Sequence, residues 1–161
     1  MLAGLLDEFR SLSRYRSLKN GLPAQGSSLK VGGLAGSSGS VLVAALAEDA
    51  PQMVILVIAE SPGEADKVVA DLDVLFPGRC RLFPQVEVMG EEEPHYEVAG
   101  ERVETVEALV RGDVQVVVTT TRATAEKTLI PQSVRDKLLR VEKGTTVRLS
   151  EIVSRLGLMG Y

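Results

Sequence analysis

The stretch Val31-Gly32-Gly33-Leu34-Ala35-Gly36-Ser37-Ser38-Gly39-Ser40-Val41-Leu42 has the outline of a phosphate-binding loop and lacks the residue that would hold the phosphate. Such a loop reads Gly-x-x-x-x-Gly-Lys-[Ser/Thr]. Its backbone N–H groups cradle the phosphates, its lysine reaches the outer ones and its hydroxyl sits on magnesium. Aligned on Gly33, the chain supplies Gly33 and Gly36, then has Ser38 where glycine belongs and Gly39 where lysine belongs. Ser37 precedes this pair, and Ser40 keeps the terminal hydroxyl. The frame is that of a nucleotide-binding domain, and the missing cation argues against hydrolysis.

The flanking residues alternate between strand and helix patterns. Leu29 to Gly32 predicts a short strand entering the loop, and Ser40 to Glu48 a helix leaving it. Met53 to Ile58 is a continuous, β-branched apolar run, the pattern of a strand buried on both faces of a parallel sheet. Ser61-Pro62-Gly63-Glu64 is a capping box with proline at the first helical position, and Ala65, Val68, Val69, Leu72 and Leu75 follow as an apolar stripe. A short strand is expected over Cys80 to Phe83, an extended loop over Pro84 to Gly100, a helix over Glu101 to Arg111 and a strand over Val114 to Thr119. A short helix near Arg122 to Glu126, a strand around Leu138 to Val141 and a helix from Ser150 to Leu156 complete the pattern. Upstream, Leu2, Leu5, Leu6, Phe9 and Leu12 share one helical face, so residues 1–18 read as an amphipathic helix. Residues 19–28 carry structure-breaking Gly, Pro, Asn and Ser and read as a linker, and 29–161 as the main domain. The order implies an α/β three-layer sandwich with a mainly parallel sheet.

Composition narrows the function classes. The chain has 161 residues, 45% of them hydrophobic and 25% charged, as expected of a soluble globular domain. A formal charge of −4 and scattered lysines offer no basic patch for nucleic acid or an anionic membrane. The single cysteine, Cys80, cannot form an internal disulfide, and no apolar run is long enough to span a bilayer, so the expected compartment is the cytoplasm.

Each candidate for chemistry has a plainer competitor. ATP hydrolysis needs a carboxylate at the end of a second strand to hold magnesium. Thr119-Thr120-Thr121 stands after Val116-Val117-Val118 instead. Glu60 lies at a strand end where an acid binds the ribose of a dinucleotide, yet the glycine spacing is not Gly-x-Gly-x-x-Gly, and a solvated acid beside the Ser61 cap explains it as well. Glu91-Glu92-Glu93 with His95 reads as a solvated loop tip rather than a metal site. Cys80, between Arg79 and Arg81, is either a thiol of lowered pKa or a buried structural one. No catalytic residue and no metal ligand is assigned.

Several weak motifs in a fixed order carry a resemblance. They are Gly33-Leu34-Ala35-Gly36-Ser37-Ser38 before an apolar helix, Phe83-Pro84, a glutamate-rich loop with Tyr96, and a helix carrying Arg102. Val116-Val117-Val118-Thr119, Lys143-Gly144 and Gly160-Tyr161 follow. From about Lys30 onward the chain resembles the amino-terminal region of the bacterial transcription-repair coupling factors, which is similar to the first domain of the damage-recognition protein UvrB. The resemblance implies a UvrB-like, RecA-type domain whose phosphate loop is degenerate at Ser38 and Gly39.

The resemblance further implies a parent protein that is a multidomain, ATP-dependent translocase on double-stranded DNA, which releases stalled RNA polymerase and recruits UvrA for nucleotide excision repair. ATP and magnesium would belong to its motor domains, UvrA mainly to the domain that follows, and polymerase and DNA to later ones. The chain would then be a fragment ending where the next domain begins. On that reading it is a non-catalytic scaffold that contacts other domains of its own parent chain. The alternative is a small nucleotide- or dinucleotide-binding enzyme with an atypical glycine loop.

Overall fold

The computed structural model describes residues 3–86, 96–127, 144 and 146–159. The chain divides into two compact units, Met1–Glu126 and Lys127–Tyr161. In the first unit the elements are α1 (Ala3–Ser11), α2 (Ser13–Asn20), α3 (Ser38–Asp49), β1 (Ile55–Ala59), α4 (Pro62–Leu75), β2 (Cys80–Leu82), α5 (Tyr96–Arg111), β3 (Val116–Thr120) and α6 (Thr121–Ala125). In the second, the described helix is α7 (Leu149–Met159). The expected strand at 138–141 lies outside the described residues, as do Glu91, Glu92, Glu93 and His95.

The three strands form an all-parallel sheet in the order β1-β3-β2. Ile55 pairs with Val116 and Ala59 with Thr120 on one side of β3, and Cys80 with Val116 on the other. Parallel neighbours need crossover helices. Here α4 carries the chain from β1 past β3 to β2, and α5 brings it back to β3. One face of the sheet packs on α3 and α4: Ile55, Val57, Ala59, Val116 and Val118 share a core with Ala44, Ala45, Ala47, Ala65 and Leu72. On the other face Val117 packs with Ala108 and Leu109 of α5 and with Phe83. The result is an α/β architecture with helices on both faces of a small open sheet.

The helix boundaries follow local chemistry. Ser61 is extended, accepts a hydrogen bond from the Glu64 N–H at 3.3 Å, and is followed by proline in the first turn, so α4 starts where the capping box places it. Thr120 caps α6 in the same way, accepting from the Ala123 N–H at 3.3 Å. The amino-terminal helix is broken in two, because Leu12 is extended (φ −61°, ψ 134°) and turns the chain between α1 and α2. The second piece runs on to Asn20, into the stretch expected to be linker.

Three expectations fail, each for a physical reason. No strand forms over 29–32: the segment joins no ladder, and Leu29, Val31 and Leu34 are exposed. A strand is stable only when neighbouring backbone satisfies it, and among the described residues no neighbour is in place. β1 is not buried on both faces either, since Leu56 and Ile58 are 55% and 53% exposed on the face that α5 does not reach. The 84–100 stretch is not all loop, because α5 begins at Tyr96.

Candidate functional site

The glycine loop takes its shape from two residues with positive φ, Gly33 at 79° and Gly36 at 54°, a conformation that side chains resist. Between Gly36 and α3 the backbone closes on itself. The Ala35 N–H donates to Ser38 Oγ, and Ser38 Oγ donates to the Ala35 carbonyl, each at 2.7 Å. Ser37 stands at the helix entrance without a side-chain capping bond. Ser38 is thus spent on its own turn.

Ser40, which matches the terminal hydroxyl of the phosphate-loop pattern, is 4% exposed and donates to Asp71 Oδ2 of α4 at 2.9 Å. The hydroxyl that would hold magnesium in an intact loop instead ties α3 to α4. Gly39 lies in the first turn of α3 with open space where a Cβ would go. The absent lysine is therefore a matter of residue choice, not of room. Gly33, Gly36, Ser37, Ser38, Gly39 and Ser40 are contiguous in sequence and include no positive charge, and the Ser38 and Ser40 hydroxyls are bound to the Ala35 carbonyl and to Asp71.

The carboxyl edge of the sheet, where open parallel sheets usually bind ligands, is built around Arg102. This side chain is 6% exposed. Its Nη1 donates to the Pro84 carbonyl at 2.7 Å and to Glu126 Oε2 at 2.8 Å, and its guanidinium lies 4.2 Å from the centroid of the Phe83 ring. Glu126 Oε2 also accepts from the Val86 N–H at 2.9 Å. Thr119 donates to the Phe83 carbonyl and Thr120 to Gln85 Oε1, both at 2.9 Å. Phe83, Pro84, Arg102 and Thr119, scattered in the sequence, thus meet at one place. They form a strut locking the exit of β2 to α5 and β3. Beside it a cleft of about 270 Å³ is lined by Pro62, Ala65, Leu82, Phe83 and Val98, with Asp66 and Thr120 as polar members.

Two polar clusters escaped sequence reasoning. The Asp49 side chain, 8% exposed at the end of α3, accepts from Tyr15 Oη and Lys19 Nζ at 2.8 Å each and pairs with Arg10. The Lys19 hydrogen bond, with those of Tyr15 and Arg10, holds the Asp49 carboxyl down at about 2 against the cost of burial. Burial, reinforced by Asp49, raises the Tyr15 phenol well above its ordinary range. This cluster fastens α1 and α2 to α3. The second is Gln115, whose Nε2 donates to the Ala47 and Ala50 carbonyls at 2.7 and 2.9 Å, satisfying the end of α3 from the start of β3. The only signal for either was a polar residue next to an apolar run.

The remaining candidates separate. Glu60 is exposed at the end of β1. Cys80 is 7% exposed, and burial pushes its thiol up to about 11, the opposite of an activated nucleophile. Among the described residues no group of three or more His, Cys, Asp and Glu side chains is placed to hold a metal, and no helix is long and apolar enough to cross a membrane. Comparison with protein-family models and with curated proteins gives no match for this chain.

Proposed function

We propose that this chain is a non-catalytic scaffold and interaction domain: a UvrB-like α/β domain with a disarmed phosphate loop, belonging to a cytoplasmic transcription-repair coupling factor. The observation that carries the first half is the Ser40 to Asp71 hydrogen bond, which spends the loop's remaining metal-binding hydroxyl on helix packing. Gly39 in the lysine position supports it. The second half rests on the ordered motifs from Gly33 to Tyr161. Four of their residues meet in the Arg102 strut, a framework role suited to a domain that holds others in place. ATP, magnesium, double-stranded DNA, RNA polymerase and UvrA are then the business of other domains of the parent protein.

The test is titration of ATP with magnesium by calorimetry, with thermal unfolding followed in parallel. The expected outcome is no saturable heat and no change in Tm. A ligand present at a hundredfold its Kd would stabilise the fold by about 2.7 kcal/mol. A shift of that order, abolished by Gly36→Val, would replace the scaffold with a nucleotide-binding enzyme. The double substitution Ser38→Gly with Gly39→Lys sharpens the result, because binding gained by it would identify an inherited site.

A further inference from the structure

Helix α3 breaks two local rules, and the same neighbour answers both exceptions. Val41 to Ala47 is an unbroken apolar run, so α3 is apolar on every side and needs cover on the side turned away from the sheet. Its last two residues are Glu48 and Asp49, with no basic residue in the last turn, although the C-terminal end of a helix carries partial negative charge and favours cations. At helical spacing Leu42, Ala45, Leu46 and Asp49 fall on one side of α3. That side is an apolar strip ending in a carboxylate.

Helices α1 and α2 fill both needs. Leu6 and Tyr15 are buried, and the Phe9 ring lies 5.4 Å from that of Tyr15, in one apolar cluster with α3. Arg10 donates to Glu48 Oε2 at 3.2 Å and pairs with Asp49, while Lys19 reaches Asp49 from α2. Their hold is of the kind that opens locally. α1 has nine residues and α2 eight, too short to persist as helices without a surface to pack on. Residues 21–28, which follow them, are all exposed. Arg10 and Lys19 keep 34% and 44% of their side chains in water, where ion pairs are weak. The two helices therefore sit on α3 as a tethered ligand sits on its site.

We propose that the outer side of α3 is a docking site for an amphipathic helix of a partner protein, one with apolar residues three apart and a cation directly after the second, as in Leu6, Phe9 and Arg10. The α1–α2 segment is its occupant within the chain and yields to such a helix. Apolar contact supplies the affinity, while the cation meeting Glu48 and Asp49 fixes the direction of the helix along α3. A short tether gives the segment an effective concentration of roughly millimolar order, so a partner helix must bind better than the segment does.

A fluorescent peptide of residues 1–20, followed by anisotropy as the full 161-residue chain is added, tests this. Arg10→Glu in the chain sets a like charge against Glu48 and Asp49, and Leu6→Asp breaks the apolar contact instead. Each is expected to free the site and tighten peptide binding about tenfold or more over the unaltered chain. Adding Asp49→Lys to the Arg10→Glu chain is expected to abolish the gain, and a peptide carrying Arg10→Glu is expected not to bind the Arg10→Glu chain. Amide hydrogen exchange at Val117 in β3 reports whether the sheet stays folded. Loss of Val117 protection in both single variants overturns the proposal, since the segment is then an inseparable part of the fold. So do folded variants that bind peptide no better than the unaltered chain, or a gain that survives Asp49→Lys, which places the peptide elsewhere. Concentration-dependent dimerisation of the unaltered chain in analytical ultracentrifugation, abolished by Arg10→Glu, would assign the site to a second copy and overturn it too.

Discussion

β1 and β3 lie side by side, pair residue for residue, and are both apolar, yet they occupy different physical worlds. All five residues of β3 are buried, while β1 alternates between partly covered and exposed until Ala59. The difference is in the cover. β3 is flanked by strands and has α4 on one face and α5 on the other, whereas among the described residues β1 has helices on one face only and no strand beyond it. A run of β-branched residues thus states what cover a strand requires, and the rest of the fold decides whether it is supplied.

The largest expected effect contrasts the two strands directly. Val118→Asp places an unpaired charge in the centre of the core and is expected to cost more than about 4 kcal/mol, enough to unfold the domain. Ile58→Asp on the open face is expected to remain folded and to lie within about 0.5 kcal/mol of the unaltered protein. Urea denaturation measures both, and a large loss for Ile58→Asp would mean that the face is covered in solution. Next comes the strut that secures the closed side of the sheet. Arg102→Ala removes the guanidinium that pairs with Glu126 and donates to the Pro84 carbonyl, and an expected loss of about 3 kcal/mol follows from breaking a largely buried ion pair. Arg102→Lys is expected to recover less than half of it, since lysine keeps the charge but not the planar stacking on Phe83.

A smaller effect concerns the helices that flank α3. Because the Asp49 carboxyl is lowered to about 2 in the folded state, its contribution is complete above its ordinary value and is lost as pH falls through the interval from about 4 to 2. Asp49→Asn is expected to flatten the stability profile across that interval, measured by denaturation at a series of pH values. The smallest effect is kinetic. Cys80 is expected to resist thiol reagents at pH 8 until the chain is denatured, and rapid modification of folded protein would contradict its burial.

Legibility in the sequence tracked how local the deciding interaction was. Helix α4 was readable to the residue because Ser61, Pro62 and Glu64 act within one turn. The turn at Gly33 and Gly36 was readable for the same reason, its glycines taking the positive φ that side chains resist. Arg102 and Glu126 are 24 positions apart, and Ser40 and Asp71 are 31 apart. Nothing near either partner announces the pair. The strand expected at 29–32 failed for a related reason, since its pattern was present while the ladder it needs is formed by distant backbone. The break at Leu12 had neither glycine nor proline to mark it, only the Asp49 cluster that pulls α2 onto α3.

The hydrogen bond from Ser40 to Asp71 sets two uses of one hydroxyl against each other. A lysine at position 39 alone would place a cation beside a loop whose hydroxyl is already committed to another helix. Matching the phosphate-loop pattern in full would take a glycine at 38, a lysine at 39 and the release of Ser40 from Asp71. The same bond holds α3 to α4, so the last step also loosens the core. The contact that holds the two helices together therefore competes with any ligand for the Ser40 hydroxyl, so that a group binding there would have to displace Asp71.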